Sequence, residues 1–292
     1  VTDLDDRLVD ALTADGRASA STLAEAIGVS RSTVAGRLDR LLDSGRISIH
    51  GVVHPAVLGR GVCAYVQMAV AGAAAPIARA VAAHPDATLV SLISGERAIS
   101  VELRVASHRE VDVAVSELRA IAPVQQVRTL IYTDLVRDVV GPVGELRGTA
   151  DDVDRSLLRG LERDGRASYA DLATATGISP AAARRRVLRL LDDGVVRVGA
   201  VTHQTEVDRT RVHGAALHFS GPGPDLDALT SGIPELSFAA RTLGWCDALI
   251  TLRASTSSAV AAALDVLRAC PDVRAVESWS HLRVVKETYV GR

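Results

Sequence analysis

The pentapeptide DGRAS stands at residues 15–19 and again at 164–168, 149 positions apart. Laid over itself at that offset, the chain brings Leu8, Leu12, Leu23, Gly28, Ser30, Arg37, Arg40 and Asp43 onto Leu157, Leu161, Leu172, Gly177, Ser179, Arg186, Arg189 and Asp192. Further on, Pro85, Gly95, Leu103 and Leu118 meet Pro234, Gly244, Leu252 and Leu267 without a gap. A chain that repeats itself in register over its whole length must fold as two versions of one unit. The stretch VVGPVGELRGT between them has the Gly and Pro content of a linker. Two copies are too few for a solenoid.

Within each copy the apolar period changes partway. From Leu4, the positions Leu8, Ala11 and Leu12 have helical spacing, and Gly16 stops the helix, so that DGR forms its C-terminal turn. A second helix over STLAEAI reaches Gly28. Ser30 then caps a third, with Val34, Leu38, Leu41 and Leu42 inward and Gly45 as its stop. The second copy repeats this with Ser179 as cap, Pro180 in the first turn, and Ala183, Val187, Leu190 and Leu191 inward. Strand-like alternation follows in both copies, in the order βαββαβ. In the first it runs from GVCAYVQMAV to VQQVRTLIYT, in the second from VHGAALHFS to VRAVESWSHLRVV. The fold class expected is α+β: twice over, a helix-turn-helix with a winged-helix-like build, then a ferredoxin-like antiparallel sheet with both helices on one face. The open faces of the two sheets are expected to pack against each other.

The predicted layout is a helix-turn-helix over 1–50, a linking strand over 51–60, a ferredoxin-like domain over 61–140, a linker over 141–150, a second helix-turn-helix over 151–199, a linking strand over 200–210 and a second ferredoxin-like domain over 211–292. With 48% hydrophobic but only 3% aromatic residues, the cores must be built from Leu, Val, Ile and Ala. The net charge of −2 gives no global attraction to nucleic acid or to an anionic membrane, so a DNA contact has to come from a local patch. Cys63, Cys246 and Cys270 form neither a CxxC nor a disulfide framework. No apolar run approaches a membrane span, and the acidic first 30 residues do not read as a signal peptide. A reducing cytoplasm and no membrane partner are expected.

The local patch lies on the third helices. Ser30, Arg31, Ser32, Thr33, Arg37 and Arg40 fall on the outer face of the first, and Ser179, Pro180, Arg184, Arg185, Arg186 and Arg189 on that of the second. Arginine grips phosphate or reads guanine bidentately, and Ser and Thr bond to phosphate or base edges. A solvated basic face on a docking module is the bland alternative. His54 and its repeat mate His203 have no ligand at metal spacing and read as structural. Cys63, on an apolar strand, reads as core. Neither a metal site nor a cofactor is expected, and GPG near Gly221 reads as a turn.

The run LAEAIGVSRSTVAGRLDRLLDSGRI, followed by a βαββαβ domain, resembles the Lrp/AsnC, or feast-famine, family of transcriptional regulators, and the resemblance covers nearly the whole chain twice. It implies a DNA-binding regulator with two reading heads in one chain, the covalent equivalent of a family dimer. It also implies a small effector, usually an amino acid, and further association of chains into dimers or tetramers. Paired heads read half-sites about 34 Å apart. The heads differ, since Arg31, Ser32 and Thr33 stand where the second copy has Pro180, Ala181 and Ala182. Unequal half-sites are therefore expected, with more base reading from the first head and more phosphate grip from the second. The family's Gly-x-x-Asp effector loop corresponds to Gly244, Trp245, Cys246 and Asp247, with Asp247 for an ammonium group. The first copy has Gly95, Glu96, Arg97 and Ala98 there, and Arg97 is the candidate for a carboxylate. In the bland reading, Asp247 bonds local backbone and Trp245 covers the sheet edge. Siroheme decarboxylases, which are enzymes, resemble the same architecture, but would need His and Arg groups facing propionates. His213 and His218, five apart on one strand, point to opposite faces. A non-enzyme is expected; a protein-docking sensor is the remaining alternative.

Overall fold

The computed structural model describes residues 3–121, 123–138, 141–144, 146–202 and 211–288. The first copy runs α1 (Asp3–Ala14), α2 (Ala20–Ile27), α3 (Arg31–Asp43), β1 (Ile47–Val53), β2 (Val62–Val70), α4 (Ala74–Ala82), β3 (Ala87–Ile93), β4 (Ile99–Val105), α5 (His108–Ala120) and β5 (Val124–Asp138). The second runs α6 (Asp152–Arg163), α7 (Tyr169–Thr176), α8 (Pro180–Asp192), β6 (Val196–Thr202), β7 (Arg211–Phe219), α9 (Leu226–Thr230), β8 (Leu236–Gly244), β9 (Ala248–Ala254), α10 (Ser257–Ala269) and β10 (Val273–Glu287). These elements form two compact units, one from α1–β1 and α6–β6, the other from the remaining strands and helices of both copies.

In the head unit, serine hydroxyls start the helices and glycines end them. Ser19, Ser30, Ser168 and Ser179 each accept a hydrogen bond from the backbone N–H three residues on. Gly28 and Gly177 close α2 and α7 with φ of 77° and 70°, a left-handed turn that other residues adopt only with strain. The two copies then interlock. β1 pairs antiparallel with β6, in a register that sets His50 opposite its own repeat mate Gly199. Val198 and Ala200 of β6 complete the core of the first head around Leu8, Leu12, Leu38 and Ile49. Val53 of β1 does the same for the second, around Leu157, Leu161, Val187 and Leu190.

The repeated pentapeptide lies at this junction. Gly16 N donates to Val198 O at 2.9 Å, and Gly165 N donates to Ile49 O at 2.8 Å. A Cβ on Gly16 would stand 2.8 Å from Ile49 Cγ2, and one on Gly165 2.7 Å from Val198 Cγ1, so only glycine allows each helix end to dock. The arginines exchange partners: Arg17 donates to Gly165 O (2.7 Å) and Ala167 O (3.1 Å), Arg166 to Gly16 O (2.8 Å) and Ala18 O (3.2 Å). Each DGRAS clamps the backbone of the other. The linking strand expected over 51–60 thus begins earlier and ends at Val53, because pairing with β6 sets its extent. His54 bonds Gly144 O through Nε2 at 3.1 Å, a structural role, whereas His203 lies outside the described residues.

The second unit contains the two ferredoxin-like sheets, ordered β3-β4-β2-β5 and β8-β9-β7-β10. They meet at both edges, β5 against β8 and β10 against β3, and close a barrel. This explains why β5 and β10 run to 15 residues, beyond the expected end near Thr133 in β5. Their first halves serve their own sheet and their second halves the partner sheet. Alternation sends Ala64, Val66 and Met68 outward to α4 and α5. In the second copy Ala215, Leu217 and Phe219 face α10 and α9, the latter only five residues long.

Inside the barrel, Tyr65, Ile93, Leu130, Ala216, Cys246, Leu249 and Trp279 pack together. That interior is not purely apolar. Arg104 bonds Glu102 at 2.9 Å with both side chains largely buried. Gln67 is buried beside Tyr65, whose hydroxyl burial pushes up to about 12. Cys63, expected as apolar core, is pushed up to about 11 by burial in the neighbourhood of Arg104, Glu102 and Asp138. Arg128 of β5 donates to Glu277 of β10 at 2.8 Å, and these two residues are repeat mates, 149 apart.

Candidate functional site

The third helix of each head, α3 or α8, has its inner face fixed by the core and its outer face exposed. Arg31, Ser32 and Thr33 are exposed on α3. Ser30 is partly spent on capping, since its Oγ accepts from Thr33 N and lies 2.9 Å from Ser32 Oγ. On α8, Arg184 and Arg185 are exposed, and Pro180 occupies the first turn behind the Ser179 cap. Together these make two polar, cation-bearing helix faces in one unit.

The remaining arginines are placed differently from expectation. Arg37 is 3.2 Å from Asp5 of α1, a carboxylate buried behind α3. In the second head Arg186 bridges Asp151 (2.7 Å) and Asp154 (2.9 Å), and Arg189 reaches Asp154 (2.5 Å) and Asp193 (3.8 Å). Asp154 is only 1% exposed and also belongs to the capping box that starts α6. Backbone bonding to Asp154 N–H, then Arg186, hold the Asp151 carboxyl below its usual range. Arg186 and Arg189 therefore tie α8 to α6, although the Arg189 side chain remains 42% exposed. Of the second-head arginines expected to grip phosphate, Arg184 and Arg185 are exposed, whereas Arg186 and Arg189 pair with acidic side chains. Arg40 stays exposed, with its Nε on Gly36 O at 2.9 Å. The carboxylates Asp5 and Asp154 were missed in the sequence, although both are matched by the repeat, as are Arg37 and Arg186.

In the second ferredoxin-like domain the Gly-x-x-Asp loop joins β8 to β9. Asp247 Oδ2 accepts from Phe219 N at 2.7 Å, so its carboxylate secures the loop to β7. Trp245 does not cap a sheet edge. It turns toward Trp279, with ring centroids 6.2 Å apart, and lies under the Arg128 guanidinium at 3.5 Å. Arg128 also donates to Gln67 Oε1 at 2.6 and 2.9 Å, and its bond to Glu277 holds that carboxyl below its usual range. Gly95 begins the matching loop with φ of 102°, and Arg97 lies 3.9 Å from Glu96. Asp247 and Arg97 belong to different hairpins, and no contact joins them among the described residues. His213 Nδ1 lies 3.2 Å from Ser280 Oγ, whereas His218 is 3.8 Å from Glu277. Among the described residues there is no group of three or more His, Cys, Asp or Glu able to hold a metal, and no helix is long and apolar enough to cross a membrane.

Two helix-turn-helix heads, each followed by a ferredoxin-like domain, define a duplicated DNA-reading architecture. The AsnC-type helix-turn-helix domain matches residues 1–42 and again 151–191. The HTH-type transcriptional regulator Rv2324 of Mycobacterium tuberculosis is 32% identical over 135 residues, which span 44% of this chain and 88% of that protein. The HTH-type transcriptional regulator LysM of Sulfurisphaera tokodaii is 25% identical over 134 residues, spanning 46% of this chain and 96% of that one. The chain belongs to the Lrp/AsnC family of helix-turn-helix transcriptional regulators. A match that uses nearly all of a relative uses under half of this chain, as a tandem duplication requires. The crystal structure of the siroheme decarboxylase NirDL shares the fold across 99% of this chain and 94% of that one, with a TM-score of 0.63 at 12% identity.

Proposed function

We propose that this chain is a cytoplasmic regulator whose two heads engage the unequal half-sites of one operator, that a small effector, an amino acid, alters this binding, and that chains associate further. The observation that carries the reading is the pairing of β1 with β6 and the exchange of Arg17 and Arg166. Together they hold α3 and α8, with different exposed residues, in one unit. Arg31, Ser32 and Thr33 suit base edges, and Arg184 and Arg185 suit phosphates. For the effector, support comes from Arg128 and Glu277 beside Trp245, because a guanidinium receives a carboxylate and a carboxylate an ammonium. A ligand shifts the equilibrium only if it binds one state better than the other.

The chain is further proposed to be no enzyme. The side chains packed inside the barrel around Tyr65, Leu130 and Trp279, and the placing of His213 beside Ser280 and of His218 beside Glu277, speak for this. The test is titration of the purified chain onto DNA from upstream of its own gene, across a salt series, with and without each amino acid. The expected result is a salt-steep isotherm with a two-part footprint of unequal protection, altered by one amino acid. Binding no tighter than to random DNA under every condition would overturn the regulator reading.

A further inference from the structure

The two heads also differ between the first helix and the third. On the first, Asp5, Arg37, Arg40, Leu41, Ser44 and Arg46 line a cavity of about 340 Å³. Arg37 is 3.2 Å and Arg46 3.6 Å from the Asp5 carboxylate, and Arg40 borders the same cavity. Arg37 and Arg46 both pair with Asp5, the one carboxylate among these lining residues, while Arg40 donates through Nε to Gly36 O. At the repeat-equivalent place on the second head, Asp193 stands for Ser44 and Val195 for Arg46. There two guanidinium groups, Arg186 and Arg189, meet three carboxylates, Asp151, Asp154 and Asp193. Three differences, Thr2 against Asp151, Ser44 against Asp193 and Arg46 against Val195, thus set a cation-lined hollow on one head against a cluster on the other in which carboxylates outnumber guanidinium groups.

A hollow lined by several guanidinium forks suits a tetrahedral oxyanion, whose oxygens each accept charge-assisted bonds. We propose that the cavity bounded by Arg37, Arg40 and Arg46 is a phosphate-binding site that the second head has lost, and that its occupant is a phosphodiester of the DNA backbone at the first half-site. The occupant rests on the DNA-binding reading above, whereas the site itself does not. Arg40 links the two functions, because it borders the hollow and also lies exposed on α3.

The test moves the first head toward the second with Arg46→Val and, separately, Ser44→Asp, each a residue the other copy already carries at that position. Circular dichroism checks that both variants fold. One arm measures binding to the upstream DNA fragment and to random DNA between 50 and 200 mM salt, limits chosen because phosphate contacts dominate the change in affinity there. Loss of one phosphate contact lowers the slope of log K against log salt by about 1 and weakens both DNAs alike, by about 5- to 10-fold. The second arm follows the melting midpoint as inorganic phosphate replaces chloride at constant ionic strength. Wild type should be stabilised and both variants should lose that response.

A changed DNA slope supports the site with DNA as its occupant. A lost phosphate response with unchanged DNA binding supports the site with free phosphate as its occupant. If wild type binds no DNA but still responds to phosphate through Arg46, the regulator reading fails and the site stands. If wild type binds DNA and neither variant alters either arm, the site is overturned and the regulator reading stands.

Discussion

Arg17 and Arg166 offer an internally controlled measurement of what holds the heads together. They are repeat mates, and each donates two hydrogen bonds to carbonyls of the other copy. A hydrogen bond from a charged donor contributes about 1.5–3 kcal/mol. The carbonyls are only partly buried, and water replaces some of what is lost when the arginine is removed. Truncation to alanine should therefore cost about 1.5–3 kcal/mol per arginine rather than twice that. The two sites differ in one respect. The Arg17 guanidinium lies 4.9 Å above the Tyr169 ring, whereas the second copy's arginine has Ala20 at the corresponding place. A partly exposed cation–π contact adds about 0.5–1 kcal/mol. Arg17→Ala should thus destabilise more than Arg166→Ala by that amount, and Tyr169→Leu should erase the difference. Urea unfolding followed by far-ultraviolet circular dichroism reads the free energies, and amide exchange along β1 and β6 shows where protection is lost. A cost below about 0.5 kcal/mol for both variants, within the range of an ordinary surface change, would refute the clamp. So would a difference that survives in the Tyr169→Leu background.

Three further outcomes follow from the geometry. A Cβ on Gly214 would lie 2.2 Å from the Trp279 ring, so Gly214→Ala should displace the indole, cost about 1–3 kcal/mol and change the tryptophan emission; wild-type emission and midpoint would show that the ring is not held there. Burial, then Arg253 and His213, push His281 down to about 4 from 6.5. Above pH 6.5 both folded and unfolded forms are neutral; below it the unfolded chain takes up a proton that the folded one refuses. Stability should fall between pH 6.5 and 4 by about 3 kcal/mol from this group, and a His281→Gln variant with an unchanged pH profile would contradict it. Asp154→Asn leaves Arg186 and Arg189 without their buried counter-charge and should cost about 3–5 kcal/mol, against less for Asp5→Asn, whose pairs are longer; equal costs in thermal unfolding would remove the distinction.

Much of this fold is written locally. Ser30 and Ser179 cap their helices because a serine before a helical period has a hydroxyl ready for the orphan N–H, and Gly28 and Gly177 turn because only glycine is at ease with positive φ. What local pattern does not carry is which edges meet. β5 reads as ending near Thr133 because the alternation that follows serves the other copy's sheet. The strand read over 51–60 lies at Ile47–Val53 in the structure for the same reason, since its partner lies 149 positions on. At the candidate site, an arginine on an outer helix face looks the same whether it awaits a phosphate or holds a carboxylate. Arg186 and Asp154 are 32 residues apart, and only the fold joins them. Asp247 matches the effector loop by spacing, and spacing does not reveal that its Oδ2 also accepts from Phe219 N. Gln67 and Tyr65 were visible on an apparently apolar strand, and their position two apart already placed them on one face.

Duplication within a single chain changes what is permitted where the copies face each other. Two separate, identical subunits meeting about a two-fold axis must present the same side chain to itself at the axis, so an arginine there would confront an arginine. Here Arg128 meets its own repeat mate as Glu277, and His50 faces its mate as Gly199. Each of these pairs is complementary only because its members descend independently. Having taken opposite charges and unequal sizes at such positions, each half presents a surface that complements the other half and not itself.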